Sequence, residues 1–246
     1  MKKNIMKFAA VIALTVAFAA CKKDDKDDTI VTTGLLYLLD QTSGNCASIT
    51  KTNATQYTVN LSSIPKGGCN QATILGSDLT SRKAILSAQY DGAIAIANSI
   101  GCSAAAITTL TNAKNTAINA ITQTTFDTSV STSRYTPIGD LRTEMMPLFT
   151  SGNPAYTESE VMGLNRLTVD QTITAQYVLI AINTAGLEAS CLTAFNSKRT
   201  TDFKGFFQVD PNANSKATVT GIGFGFCSYG TAVPANQKCA SLNEQF

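Results

Sequence analysis

Histidine is absent from this 246-residue chain. That excludes every mechanism in which a protein imidazole acts as base, proton shuttle or metal ligand. Ser-His-Asp and Cys-His catalysis go with it, as do zinc sites that carry His. Tryptophan is absent too, so the large aromatic anchors are 11 Phe and 7 Tyr. No two cysteines stand in Cys-x₂-Cys spacing, the arrangement of the commonest structural zinc sites. An Asp/Asn-rich calcium loop is also missing, because Asp210-Pro211-Asn212-Ala213-Asn214-Ser215 lacks the terminal Glu. No cofactor or metal is expected. Charged residues make up only 15% of the chain. They form no basic stripe of the kind that nucleic acid requires, so nucleic acid is not an expected partner.

Long apolar runs are confined to the start. Lys2, Lys3 and Lys7 precede an apolar stretch from Phe8 to Phe18, then Ala19, Ala20 and Cys21. A basic n-region, an apolar segment of this length and small residues at its end make residues 1–20 a signal peptide. A spanning helix needs about 20 apolar residues, and the run is shorter than that. Phe18-Ala19-Ala20-Cys21 resembles the lipobox of bacterial lipoproteins processed by signal peptidase II. The resemblance implies that Cys21 becomes the first mature residue and carries a thioether-linked diacylglycerol, usually with an N-acyl chain. Phe18 stands where most lipoboxes have Leu, and a bulky aromatic there resembles the relaxed lipoboxes of spirochaete surface lipoproteins. Two or three acyl chains anchor stably where one holds only marginally, at about 0.8 kcal/mol per buried CH₂. The expected membrane attachment is therefore through lipid on Cys21.

Lys22-Lys23-Asp24-Asp25-Lys26-Asp27-Asp28 follows, dense in charge and without an apolar residue. Such a segment cannot bury a core, and residues 21–34 read as a charged tether. The same run resembles the post-cysteine sorting signals of lipoproteins, in which acidic residues imply inner-membrane retention in some lineages and surface export in others; the expected location is the cell envelope, with the outer membrane favoured over the inner. Removing residues 1–20 takes away Lys2, Lys3 and Lys7 and no acid, so the net charge of +2 becomes −1.

Setting Cys21 aside leaves Cys46, Cys69, Cys102, Cys191, Cys227 and Cys239. An even number in an exported chain favours disulfides. Six cysteines allow 15 connectivities. The pairing favoured here is 46–69, 102–191 and 227–239. The first and last close short loops flanked by turn residues, and the middle one joins two helix-associated segments distant in sequence.

The mature length suits one domain over residues 35–246. Its apolar opening, Leu35-Leu36-Tyr37-Leu38-Leu39, is too short to span and reads as a strand or short helix covering the core. Residues 46–69 read as a small hairpin on the tether side, with Thr-rich alternating strands and a turn at Asn53-Ala54. A helical core spans residues 78–195. Asp78 caps a helix that Gly101 stops, and Ser103 caps a second that runs to about Thr122. The short link makes them a helical hairpin. Residues 123–135 read as a Thr/Ser-rich loop. Thr136-Pro137 reads as a helix start, and Pro147 as that helix's end. Thr157–Glu160 and Thr168–Gln171 are capping-box signatures. The second opens a helix that is apolar nearly all round at Tyr177–Ile182, hence the buried central one. Residues 203–246 read as a C-terminal β-hairpin, with a turn at Asp210-Pro211-Asn212, and a tail tied by Cys239. Within it Gly221, Gly223 and Gly225 form a small face suited to close backbone approach. The fold class is thus α+β, mainly α: a helical hairpin and a buried helix packed with small β-hairpins and stapled by disulfides.

Chemistry-bearing motifs are few. Gly221-Ile222-Gly223-Phe224-Gly225 lacks the GxGxxG spacing of a phosphate loop. Ser63-Ile64-Pro65-Lys66 has Ser-x-x-Lys spacing, but a proline inside it opposes the helix start that chemistry needs. Asp140, Glu144, Glu158 and Glu160 are the acidic cluster beyond the tether. A glycosidase pair needs two carboxylates about 5–10 Å apart across a cleft, whereas helix-start acids are explained by capping and the helix dipole. No catalytic residue is assigned. The expected function is a membrane-anchored, non-catalytic surface protein that binds a host or envelope macromolecule. The host-contact role comes from the spirochaete resemblance. A periplasm-facing structural or assembly lipoprotein is the alternative, and a carboxylate-dependent hydrolase of envelope polymers comes third.

Overall fold

Alternation of buried and wetter residues builds the first layer. In the computed structural model, which describes residues 45–243, β1 (Asn45–Lys51) and β2 (Gln56–Ser63) pair antiparallel, with Ile49 opposite Val59 and Ala47 opposite Leu61. Ala47, Ile49, Tyr57, Val59 and Leu61 are buried, and the residues between them are wetter. The expected hairpin therefore forms. It forms the centre of a four-stranded sheet, flanked by β3 (Ser133–Pro137) on β1 and β7 (Gly225–Gly230) on β2. Tyr57 and Tyr229 face each other across the β2–β7 pair and stack at 4.7 Å.

After β2 come the short α1 (Gln71–Ile74) and then α2 (Leu79–Ser99), α3 (Ala104–Ala120) and α4 (Gln123–Thr132). Asp78 caps α2 and Ser103 caps α3, as their positions predict. Gly101 takes the left-handed conformation at φ +76° that ends a helix cheaply only with glycine. Between β3 and β7 lie α5 (Leu141–Glu144), α6 (Met146–Thr150), α7 (Glu158–Gly163), β4 (Asn165–Arg166), α8 (Val169–Ile182), α9 (Ala189–Asp202), β5 (Phe206–Phe207) and β6 (Gly221–Ile222). The mixed, mainly helical α+β class holds.

Two cores result. The sheet packs its buried face with Ile138, Leu141, Met145, Phe149 and Val161. The helices α2, α3, α8 and α9 pack through small residues, including Ala93, Ala97, Ala106, Ala175 and Ala181, around Leu110, Val178 and Phe195. Gly92 illustrates the closeness: a Cβ there would stand 2.3 Å from the Tyr177 ring.

The three favoured disulfides all form. Cα atoms are 5.4 Å apart for Cys46–Cys69, and 5.0 Å for both Cys102–Cys191 and Cys227–Cys239. The first ties β1 to the segment after β2, the second ties the α2–α3 link to α9, and the third ties β7 to the tail.

Several expectations are corrected. Residues 123–135 are not a loop. Thr122 and Thr125 form a capping box for α4, and β3 follows. The hydroxyls of Thr128, Ser129 and Thr132 donate to carbonyls four residues back. Hydroxyls satisfied in this way no longer compete with the helix. Thr136-Pro137 ends β3 instead of opening a helix, and Asp140 caps α5. Pro147 lies in the first turn of α6, where its missing N–H is harmless. The C-terminal β-hairpin expected within residues 203–246 is absent. β5 and β6 run parallel, with β4 parallel on the other side of β6, and β7 joins the large sheet. Asp210 does make a turn, accepting from the N–H groups of Gly205 and Asn212. The chain then winds back through residues 213–220 before pairing, which reverses the strand sense. The glycine face behaves as expected. A Cβ at Gly223 would meet Val209 at 2.3 Å, and one at Gly221 would meet Phe206 at 2.6 Å. Finally, α8 buries Thr172, Ala175, Val178 and Ala181, whereas Leu179 and Ile180 stay half-buried on a groove.

Candidate functional site

Cys21, the tether and the Leu35–Leu39 patch lie outside the described residues. Among the described residues no helix is long and apolar enough to cross a membrane. Each of the six remaining cysteines is in a disulfide. Glu144 lies beside Cys227 and Cys239, but those sulfurs are bonded to each other and offer no thiolate to a metal. The Glu144 carboxylate is buried and accepts from the Ser241 hydroxyl, from the Ser241 N–H at 3.0 Å and from the Leu242 N–H at 3.3 Å. Its work is to hold the tail.

The other acids of the expected cluster are spread out in the same manner. Asp140 caps α5 and holds Arg142 at 2.7 Å, with Arg166 at 3.6 Å. Glu158 is exposed in the first turn of α7. Glu160 closes the α7 capping box through the Thr157 N–H at 2.7 Å and pairs with Lys216 at 2.7 Å. The Lys216 hydrogen bond, then the Thr157 N–H, pulls the Glu160 carboxyl down to about 2.

Three concave regions are notable. A groove of about 460 Å³ between α2 and α8 carries Tyr90, Leu179, Ile180 and Phe224 among glutamines and Asn183. A polar recess of about 440 Å³ lies at the start of α8 beside Arg142 and Arg166. Arg142 is consumed there by Asp140 and by the carbonyls of Met162 and Leu164. The third is a cleft of about 290 Å³ whose lining is both aromatic and amide-bearing. Among the described residues no carboxylate lines any of the three.

The third cleft is the candidate site. Its floor comes from α6 and β5. Phe149 is buried at the end of α6 and meets Tyr156 and Phe207 edge-on, at 5.1 Å and 5.2 Å between ring centres. The Tyr156 N–H donates to the Phe149 carbonyl at 3.1 Å, which folds residues 151–156 back over the helix. Val219 and Leu148 complete the apolar wall. The rim is polar: Asn153, Asn214, Ser215 and Lys216. Thr218 shapes that rim, its hydroxyl accepting from the N–H groups of Asn214 and Ser215 at 3.2 Å and 3.1 Å. Phe226 stands at the edge with 44% of its surface exposed, one of two exposed large apolar side chains among the described residues. Its backbone N–H on the Met145 sulfur, at 3.1 Å, fixes its position.

Lys216 bridges the cleft. Its ammonium donates to Glu160 and, at 2.9 Å, to the Ala155 carbonyl, and lies 5.2 Å from the centre of the Tyr156 ring. The Tyr156 hydroxyl is buried with no hydrogen-bond partner. Burial, and secondly the Glu160 charge, push its pKa above the ordinary phenol value, so it stays protonated. An apolar floor, a few convergent polar groups and an orphaned buried hydroxyl are what ligand sites present.

Sequence reasoning placed Glu160 at the start of α7 but gave it no partner across the cleft. It missed Phe149, Tyr156, Phe207 and Lys216, which lie in four separate segments. The one available signal was an aromatic residue next to the Asn153-Pro154 turn. Comparison of this chain with protein-family models, with curated proteins and with solved structures finds no match.

Proposed function

We propose that this chain is a lipid-anchored envelope protein, carried on Cys21, whose disulfide-stapled domain binds another molecule through the aromatic cleft and performs no chemistry on it. The carrying observation is the lining of that cleft: aromatic rings and uncharged polar groups, with its one cation neutralised by Glu160. The hydrolase reading is weaker, because Asp140, Glu144 and Glu160 serve caps, ion pairs and the tail rather than converging on a cleft. Extracellular location is supported by disulfide use and by the leader pattern.

The anchor and the facing are tested together. Labelled palmitate is expected to enter the wild-type chain and not Cys21→Ser, and protease added to intact cells is expected to remove the domain. Palmitate incorporation that survives Cys21→Ser contradicts the anchor. Protease resistance that is lost only on permeabilising the cells favours the periplasm-facing alternative.

A further inference from the structure

We infer that the aromatic cleft is a binding site for a neutral saccharide, an inference that rests on the binding function proposed above. Charge is the first discriminator. Among the described residues Lys216 is the one ionised residue that lines the cleft, and Glu160, 2.7 Å from its ammonium, neutralises it. An anionic ligand would have to compete with Glu160 for the ammonium, and a cationic one would meet Lys216. A neutral ligand disturbs neither.

Shape and polarity are the second. A purely apolar ligand, such as an acyl chain, would suit Phe149, Phe207 and Val219 but would strip water from Asn153, Asn214 and Ser215 without replacing their hydrogen bonds. A pyranose ring has both kinds of surface. Its C–H faces pack on aromatic rings, and its hydroxyls, each donor and acceptor, match amides and hydroxyls that also do both. Phe226 gives an exposed ring at the mouth, where a sugar face can lie. Asn214 and Ser215 give donors and acceptors beside it. An ammonium has three donors, and the contacts with Glu160 and the Ala155 carbonyl engage two of those on Lys216. The cleft volume of about 290 Å³ accommodates one or two rings rather than a long chain.

The test is a saturation-transfer NMR titration of the full chain in detergent. The probes are chitotriose, standing for wall-type glycan, and galactose- and mannose-terminated neutral trisaccharides, standing for cell-surface glycan. Sialyllactose and decanoate are the anionic and apolar controls. At least one neutral probe is expected to bind, and which arm responds identifies the source. Phe226→Ala and Asn214→Ala, both at exposed positions, are expected to weaken binding about tenfold, what losing one anchor of a small site costs. Their melting temperatures are expected to match wild type, and Gln176→Ala in the α2–α8 groove is expected to change nothing. Three results overturn the inference: silence from every neutral saccharide, neutral binding that ignores both cleft variants, or cleft-dependent binding of sialyllactose or decanoate alone. A chain that ignores all saccharides but holds a protein through this cleft sinks the saccharide and leaves the binding function standing. A chain that cleaves a probe sinks the non-catalytic reading instead.

Discussion

Glu160 does two structural jobs with one carboxylate: it closes the capping box on Thr157 and neutralises Lys216 across the cleft. Its pKa is about 2, below its ordinary 4.5, with the Lys216 hydrogen bond the larger cause. A depressed carboxylate stabilises the fold above its unfolded pKa and loses that contribution as pH falls through the folded value. The strap over Tyr156 is therefore expected to hold at neutral pH and to weaken as pH drops from about 4.5 towards 2. The side chain is exposed, so the effect on global stability is small. NMR titration of the Glu160 carboxyl is expected to give a midpoint near 2 that rises towards 4.5 in Lys216→Ala. A wild-type midpoint at the ordinary value would show that the pair does not persist in solution. Residue chemistry was legible in part. The capping role of Glu160 follows from three-residue spacing, whereas its partner Lys216 is 56 residues away and no local pattern links them.

Capping decided much at the scale of elements. Asp78, Ser103, Thr157 and Thr168 each start the helix their spacing predicts. The failures have physical causes. Composition made residues 123–135 a loop, yet α4 forms: Thr122 caps it, and its hydroxyls are occupied by carbonyls four residues back. Phe126 is its sole buried residue, so the cap carries more of its stability than usual. Thr122→Ala is expected to cost about 1 kcal/mol and to speed amide exchange in the first turn of α4, with Thr122→Asp restoring protection. Unchanged exchange in Thr122→Ala would mean that packing alone holds the element. The β5–β6 pairing was misread because alternation fixes which side chains share a face but not strand sense. Sense depends on how residues 213–220 return, and Asp210 and Thr218 set that path through hydrogen bonds.

The described residues form two cores, with Cys227–Cys239 inside the sheet core and Cys102–Cys191 inside the helical one. Compartment and parity made disulfides legible, and loop length with turn residues pointed to the pairing. The cleft was not legible. It is assembled from α6, β5, the 213–220 return and the start of β7, so it exists only once the parallel pairing misread above is in place. The absence of histidine removes imidazole chemistry, and Asp140, Glu144 and Glu160 are engaged in caps, ion pairs and the tail. The most direct test places a photo-cross-linking phenylalanine analogue at position 226 of the full-length protein in intact cells. An ultraviolet-dependent adduct is predicted there, and none from the same analogue at Gln176 in the α2–α8 groove. No adduct at 226, or one at 176 alone, would contradict a cleft that binds.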